Sequence, residues 1–284
     1  MVAVVVVVAV LIGVAVGLTR RRRQGSLAAG QASRTGEVVA LLRAEIDRPH
    51  SAQGDPDAQA RLCRGMRPAG STTIRSQMLA RTRFFDGQVQ DALASGIDQI
   101  VVCGASYDDR ALRFRTTGVR FFELDHPSTQ PAKVARLQAG ECDTTGLALA
   151  PADFGRDDVA AALRAVGHSA DRPTAYLCEG LLVYLDPATI HRLLSGLAAC
   201  AAPGSRLAAS LAVHREDRDS RDVVRAANAR RAHGASEPWV TILPASEHLP
   251  LLERAGWSVT GSTDGAALSP EQPPGRMLLV TASR

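Results

Sequence analysis

The chain has 284 residues, of which 45% are hydrophobic and only 4% aromatic, so it can bury a large core made mainly of Ala, Val and Leu. The formal net charge is +4, and the four arginines at positions 20–23 account for all of it, because the 29 other basic residues match 29 acidic ones. This balance excludes a broad nucleic-acid-binding surface, which needs clustered Lys and Arg.

The five cysteines lie far apart, with no C-x-x-C pair and no histidine at metal-ligand spacing. This pattern predicts reduced thiols, some of them in the core. Neither a zinc site nor a disulfide scaffold is expected, and no metal cofactor is predicted.

The N-terminal segment is apolar and is followed by positive charge. Residues 1–18 carry no charged side chain, and arginines occupy positions 20–23. An 18-residue helix is about 27 Å long, which suffices for a thin hydrocarbon core. We therefore predict a single transmembrane anchor in residues 1–18, a basic juxtamembrane segment and linker in residues 19–36, and a cytoplasmic body. The alternatives are a tail that associates loosely with the membrane and a wrongly extended start.

Helical patterns dominate the region after the linker. Apolar residues recur at helical spacing in "EVVALLRAEI" (37–46), "DAQARLCRGM" (57–66) and "SQMLARTRFFDGQVQDALASG" (76–96). Gly96 stands where a helix usually stops. Residues 37–96 are thus predicted to form a helical N-terminal part of the domain that fills residues 37–284.

From residue 97 the pattern changes to short apolar runs. Seven of them are typical of strands: "IDQIVVCGAS", "VRFFELD", "LALAPAD", "PTAYLCEG", "SRLAASLAVH", "WSVTGSTD" and "RMLLVTAS". Helical patterns such as "DDVAAALRAVG" and "PATIHRLLSGLAACA" separate several of them. This alternation predicts an α/β core with an open doubly wound sheet over residues 97–284. The charged segment 215–234 is predicted to be a solvated helical face, with a lid over the site as the alternative.

Two residues at predicted strand ends indicate a nucleoside-binding crevice. Ligands of open α/β sheets bind beyond the carboxyl ends of the strands. Gly104 ends the first strand, and Asp125 ends the next one 21 residues later. This spacing is close to that of a carboxylate which accepts hydrogen bonds from a ribose diol. Gly104 could instead be a plain turn and Asp125 a helix cap before Pro127.

The residues after Gly104 bear on which nucleoside binds. A dinucleotide places its pyrophosphate on a glycine-rich G-x-G-x-x-G turn, whereas "GASYDD" has one glycine and two acids, Asp108 and Asp109. Acids would repel a pyrophosphate but would suit the phosphate-free, cationic S-adenosylmethionine. A nucleotide-dependent oxidoreductase is therefore the less favoured alternative.

Three motifs in this order carry a resemblance to a known family: "ARTRFFDGQVQDALASGIDQIVVCGASYDDRALRF", "FFELDHPSTQPAKVARL" and "RPTAYLCEGLLVYLDPATIHRLL". From about residue 33 onward the chain resembles the leucine carboxyl methyltransferase family of S-adenosylmethionine-dependent O-methyltransferases, including its actinobacterial members. The resemblance implies S-adenosylmethionine as cofactor. It also implies a class I methyltransferase fold, a Rossmann-like sheet with an antiparallel last strand.

The resemblance also implies roles for residues near the first two strands. Arg81 matches the arginine that holds the carboxylate of the cofactor, with Arg83 as the fallback. Gly104 and Ala105 match the turn beside the amino acid portion of the cofactor, and Asp125 matches the ribose acid.

Further roles follow for residues near the third and fourth strands. Asp153 and Phe154 match the pair beside the adenine ring, and Glu179 matches the acid near the methionine portion. Glu179 and Tyr184 are the predicted catalytic residues at the crevice, although they could instead be a buried polar pair that structures the turn. Ser106 replaces a glycine common in the family, which leaves open a membrane-tethered binding protein without turnover.

The choice of methyl acceptor depends on whether a base is present. A carboxylate acceptor is ionised at neutral pH and needs no base, whereas a hydroxyl acceptor needs one. His126, His168 and His191 are expected to be ordinary structural or surface residues. Only His214, after the fifth strand, is a candidate base. The sequence therefore favours a carboxylate of a small molecule or peptide as acceptor.

We expect residues 1–30 to carry a fused reporter protein into the membrane fraction, because an apolar helix followed by arginines partitions into the bilayer. Membrane fractionation of cells that express the fusion measures this. A wholly soluble reporter would contradict the anchor prediction.

Overall fold

A computed structural model describes residues 34–66, 75–231, 237–265 and 277–284. The predicted anchor, residues 1–18, lies outside these ranges, as does the segment 19–33. Within the four ranges, no helix has both the length and the apolar character that a membrane span requires.

Three helices precede the sheet: α1 (Arg34–Ala44), α2 (Ala58–Leu62) and α3 (Arg75–Ala94). All three overlap the predicted helical segments, and each begins or ends a few residues from the predicted bounds. Gly96 follows the end of α3 with φ +79°, a left-handed conformation that favours glycine. The predicted helix stop is confirmed.

The sheet contains all seven predicted strands. It also contains a two-residue strand, β6, which the sequence does not predict because it has no run of apolar residues. The strands are β1 (Gln99–Cys103), β2 (Arg120–Asp125), β3 (Leu147–Pro151), β4 (Thr174–Cys178), β5 (Arg206–His214), β6 (Leu243–Pro244), β7 (Ser258–Asp264) and β8 (Met277–Ser283).

The strand order confirms a doubly wound α/β sheet. It is β3-β2-β1-β4-β5-β8-β7, with β6 beside β5. Strands β1 to β5 pair in parallel, and β8 runs antiparallel to both β5 and β7. The predicted antiparallel last strand is therefore present. The order reverses between β1 and β4, which places the ligand crevice at the carboxyl ends of these two strands.

Helices cover both faces of the sheet. The remaining ones are α4 (Arg110–Arg113), α5 (Gln130–Ala139), α6 (Val159–Ala165), α7 (Pro187–Ala199), α8 (Ser220–Arg231) and α9 (Ala245–Arg254), with a 3-10 turn at Leu182–Tyr184. Leu163, Leu193 and Leu252, from α6, α7 and α9, pack on one face of the sheet. Phe85 and Val89 of α3 pack on the other. Because both faces are covered, the central strands β1 and β4 are buried along their whole length.

Helix starts and the charged segment agree with local sequence. The Asp158 side chain accepts hydrogen bonds from the first turn of α6, and Asp186 caps α7.

In the segment 215–234, α8 exposes Arg221, Asp222 and Arg225 to solvent, which fits the predicted solvated face.

Buried ion pairs hold the N-terminal helices to the carboxyl edge of the sheet. Five arginines and four carboxylates contact one another, and each side chain is at most 12% exposed. We call this set the arginine–carboxylate cluster: Arg43, Arg48, Arg81, Arg110, Arg113, Asp86, Asp108, Asp109 and Glu179.

Asp86, on α3, joins three elements within this cluster. Its carboxylate accepts hydrogen bonds from Arg48, just after α1, and from Arg110 and Arg113 of α4, at 2.8–2.9 Å. Burial by itself raises the pKa of Asp86. The charge of Arg110 and the hydrogen bond from Arg48 outweigh burial, so the net pKa is lowered.

An Asp86→Asn substitution is expected to destabilise the chain by about 3–5 kcal/mol at neutral pH, because it leaves buried guanidinium groups short of a counter-charge. Urea denaturation measures this loss. The deficit should shrink as the pH falls below about 4, since a carboxylate with a lowered pKa stabilises the fold above the unfolded-state pKa and loses this effect in acid.

Asp91→Asn is the matched control on the same helix. Asp91 is exposed, and its neutralisation should change stability by less than about 0.5 kcal/mol. Equal losses for the two variants would contradict the role given to the cluster.

Candidate functional site

Gly104 forms the sharp turn at the end of β1. Its φ is +67°, and a Cβ atom at this position would lie 3.0 Å from Cδ1 of Leu181, which follows β4. Its backbone N–H donates to the carbonyl of Leu124 at 2.7 Å. Glycine is required here because the chain turns in the left-handed region and meets the β4 loop closely.

Asp125 lies directly against the turn after β1. Its carboxylate accepts hydrogen bonds from the backbone N–H of Ser106 at 2.6 Å and of His126 at 2.7 Å. Burial raises the pKa of Asp125 above its ordinary value, although the N–H groups of His126 and Ser106 oppose this shift. The buried hydroxyl of Ser106 has no hydrogen-bond partner among the described residues. The structure thus brings together the two strand ends that the sequence paired.

Glu179, the residue after β4, is enclosed by three arginines. Its Oε1 accepts from Nε of Arg81 at 2.9 Å, and its Oε2 lies 2.7 Å from Nη2 of Arg43 and 2.7 Å from Nη1 of Arg110. Burial by itself raises the pKa of Glu179. The charges of the three arginines outweigh burial, and the charge of Arg43 has the largest lowering effect. The net pKa is well below the usual range. Glu179 is therefore an ionised anchor for arginines and a poor general base.

Arg81 lies against the backbone of the β4 loop. Gly180 has φ +64°, and a Cβ atom there would lie 2.9 Å from Nη1 of Arg81. The fallback residue, Arg83, has an exposed side chain. Of the two candidates, Arg81 is the one that reaches the strand ends.

The prediction that Asp108 and Asp109 face a cationic cofactor is wrong. Asp108 contacts Arg43 at 3.1 Å and Arg110 at 2.5 Å. Asp109 contacts Arg48 at 2.7 Å and Arg113 at 3.0 Å. Both acids are almost fully buried, and a buried carboxylate requires such partners. Their charges are used within the fold.

The residues after β3 separate into one polar and one core position. Asp153 accepts from the N–H of Gly155 at 2.9 Å, and its Oδ2 lies 3.9 Å from Nε2 of His126, next to Asp125. Phe154 is 8% exposed and packs in the core with α6 and α7. Asp153 therefore borders the crevice. The structure shows the ring of Phe154 only in core contacts, and its place beside adenine stays a prediction.

Tyr184 and His214 differ in the hydrogen bonds that their side chains make. Tyr184 ends the half-buried 3-10 turn, and its hydroxyl makes no hydrogen bond within the described ranges. In His214, Nδ1 lies 2.6 Å from the carbonyl oxygen of Arg215, and Nε2 lies 2.7 Å from Oγ of Ser220. Both ring nitrogens of the candidate base are thus engaged.

The residues present fit S-adenosylmethionine. Ten ion pairs join five arginines to four carboxylates in the cluster, so these described residues carry one excess positive charge, suited to one carboxylate. Asp125 lies beyond Gly104 with acceptor oxygens for a diol, and the hydroxyl of Ser106 is available beside it. Two glycines with positive φ, Gly104 and Gly180, form the sharp turns after β1 and β4 that border this crevice.

Comparisons with known proteins show which family the chain belongs to. Residues 37–198 match the leucine carboxyl methyltransferase family. A predicted S-adenosyl-L-methionine-dependent methyltransferase of Streptomyces avermitilis is 32% identical over 241 residues, which cover 79% of this chain and 82% of that protein. One of Mycolicibacterium vanbaalenii is 32% identical over 260 residues, with coverage of 86% and 81%.

A solved structure supports the fold. The crystal structure of a predicted methyltransferase of Thermobifida fusca superposes with a TM-score of 0.58 at 15% identity, and covers 89% of this chain and 95% of that one. The family match spans more than half of the chain and includes the turns after β1, β2 and β4. The chain therefore belongs to the leucine carboxyl methyltransferase family and is an S-adenosylmethionine-dependent methyltransferase.

Proposed function

We propose that the chain methylates a carboxylate oxygen of a small molecule or peptide. The observation that carries this proposal concerns His214 and Glu179, the two residues that come closest to serving as a general base. Both nitrogens of His214 are engaged, and Glu179 is held ionised by three arginines. Methylation of a hydroxyl needs a base to take the proton, whereas a carboxylate is already ionised.

The contacts at the strand ends support the proposal that different residues hold different parts of the cofactor. Arg81, fixed by Glu179, would hold the amino acid carboxylate of the cofactor, and Asp125 would accept hydrogen bonds from its ribose diol. Gly104 and Ala105 would border the amino acid portion, and Asp153 the adenine. When bound, the cofactor supplies an electrophilic methyl group on a positively charged sulfur.

The remaining task of the protein is orientation and the exclusion of water. Tyr184 is proposed to contact the acceptor, because it ends the turn that begins two residues after Gly180. This turn is fixed from outside, since Val240 and Thr241 both donate backbone hydrogen bonds to the carbonyl of Val183. Glu179 is assigned the positioning of Arg81.

Attachment to a membrane through residues 1–18, with the catalytic domain in the cytoplasm, remains a proposal from the sequence. The apolar run and the arginines after it support it.

Asp125→Ala is expected to weaken binding of S-adenosylhomocysteine about tenfold or more, because a charge-assisted hydrogen bond to the ribose is lost. Isothermal titration of the full chain measures this. Asp98→Ala is the control, since Asp98 precedes β1 at the opposite edge of the sheet, where it pairs with Arg172. Unchanged affinity in Asp125→Ala would remove the site assignment.

We expect methyl groups transferred to acceptors in a metabolite extract to be released as methanol by mild alkali, because esters hydrolyse under conditions in which ethers do not. The assay uses S-adenosylmethionine with a labelled methyl group. His214→Ala should retain turnover within about threefold, whereas loss of a general base costs about 10²–10⁴-fold. Alkali-stable label, or a large loss in His214→Ala, would contradict a carboxylate acceptor.

A further inference from the structure

Arg43 touches the site although nothing in its sequence context indicates a role there. It lies on α1, in a segment whose pattern indicates an ordinary amphipathic helix. Its side chain is 7% exposed and contacts Asp108 through Nη1 at 3.1 Å and Glu179 through Nη2 at 2.7 Å. Its Nε is buried and has no hydrogen-bond partner among the described residues. Arg43 thus joins a helix outside the sheet to the two carboxylates nearest to Arg81.

The charge balance around Glu179 depends on Arg43, which contacts this carboxylate directly. With it, five arginines face four carboxylates, and one positive charge is left for a ligand. Without it, four face four. A carboxylate that then bound at Arg81 would lie near Glu179 and Asp108 with one positive charge fewer beside these acids, which is unfavourable. The nearby Lys133 does not replace Arg43, because its ammonium group pairs with Glu123.

We infer that Arg43 is a positioning residue for cofactor binding. It acts through Glu179 and supplies the positive charge that the amino acid carboxylate of the cofactor neutralises at Arg81. The inference rests on the proposed function of this site. Arg81 makes the contact with the ligand, and Arg43 holds Glu179 and sets the charge balance around it.

Two ligands separate this role from a merely structural one. S-adenosylhomocysteine and 5′-methylthioadenosine share the adenosine and the sulfur, but only the first carries the amino acid portion. The ratio of their affinities, that for S-adenosylhomocysteine divided by that for 5′-methylthioadenosine, therefore reports on the subsite of the amino acid portion. A variant that only loosens the fold weakens both ligands and leaves the ratio unchanged.

Arg43→Met should lower the affinity for S-adenosylhomocysteine, relative to that for 5′-methylthioadenosine, about tenfold or more. Titration of the full chain with each ligand measures this ratio. Removing the carboxylate partner as well, in Arg43→Met with Asp108→Asn, leaves four arginines and three carboxylates. The excess positive charge returns, and the ratio should recover to within about threefold of the wild-type value.

Two single variants complete the set. Asp108→Asn alone keeps Arg43, adds to the excess charge and should raise the ratio, which keeps the test decisive where Arg43→Met does not fold. Arg48→Met is the matched control: Arg48 is equally buried, but its partners are Asp86 and Asp109 and not Glu179. Its ratio should fall by less than about threefold, because charge effects weaken with distance.

The outcomes are distinguishable. An unchanged ratio in Arg43→Met, no recovery in the double variant or a lower ratio in Asp108→Asn overturns the role of Arg43 and leaves the proposed function intact. A wild-type chain that binds neither ligand overturns the proposed function together with the inference.

Discussion

The contact of Glu179 with three guanidinium groups is the interaction on which the site depends. Each of these charges is removed from water, and burial alone would make that unfavourable. It is tolerated because Arg43, Arg81 and Arg110 come from three different helices and converge on one carboxylate. The same contacts that attach α1, α3 and α4 to the sheet therefore shape the end of β4. Fold stability and the ligand crevice rest on one set of ion pairs.

Most of the fold could be predicted because its signals are local. Continuous apolar runs mark the strands, and Gly96 marks the end of α3. Strand β6 was missed because two residues carry no periodicity. Gly104 and Asp125 could be paired from sequence since the carboxyl ends of parallel neighbours meet at one edge. The structure confirms that these two strand ends lie side by side, because Gly104 bonds to Leu124 and Asp125 bonds to Ser106.

The electrostatics could not be predicted from the sequence. Asp108 and Asp109 look like ligands for a cation when only their neighbours in the chain are considered. Asp108 in fact contacts Arg43, 65 residues away. Arg81 and Glu179 are 98 residues apart. No spacing rule connects such positions, so the arginine that neutralises an acid, or the acid that fixes an arginine, emerges only when the chain is folded.

Ser106, where the resemblance implies a glycine, keeps the backbone conformation of a glycine turn. Its φ of +44° lies in the region that glycine adopts readily, at a cost of roughly 1–2 kcal/mol for other residues. The N–H that bonds to Asp125 belongs to the backbone, so a glycine or a serine can donate it equally. The side chain adds a hydroxyl next to Asp125 without a change in the course of the turn.

The wide separation of the cluster residues along the chain also sets an order of events during synthesis. Arg43 leaves the ribosome long before Asp108 and Glu179 exist, so α1 cannot take its final place while the nascent chain is short. Domains form as units once their long-range contacts are available. The last contact of the first helix, that of Arg43 with Glu179, thus forms only after translation has passed β4, and a chain that stops earlier lacks the carboxylate that three of its arginines share.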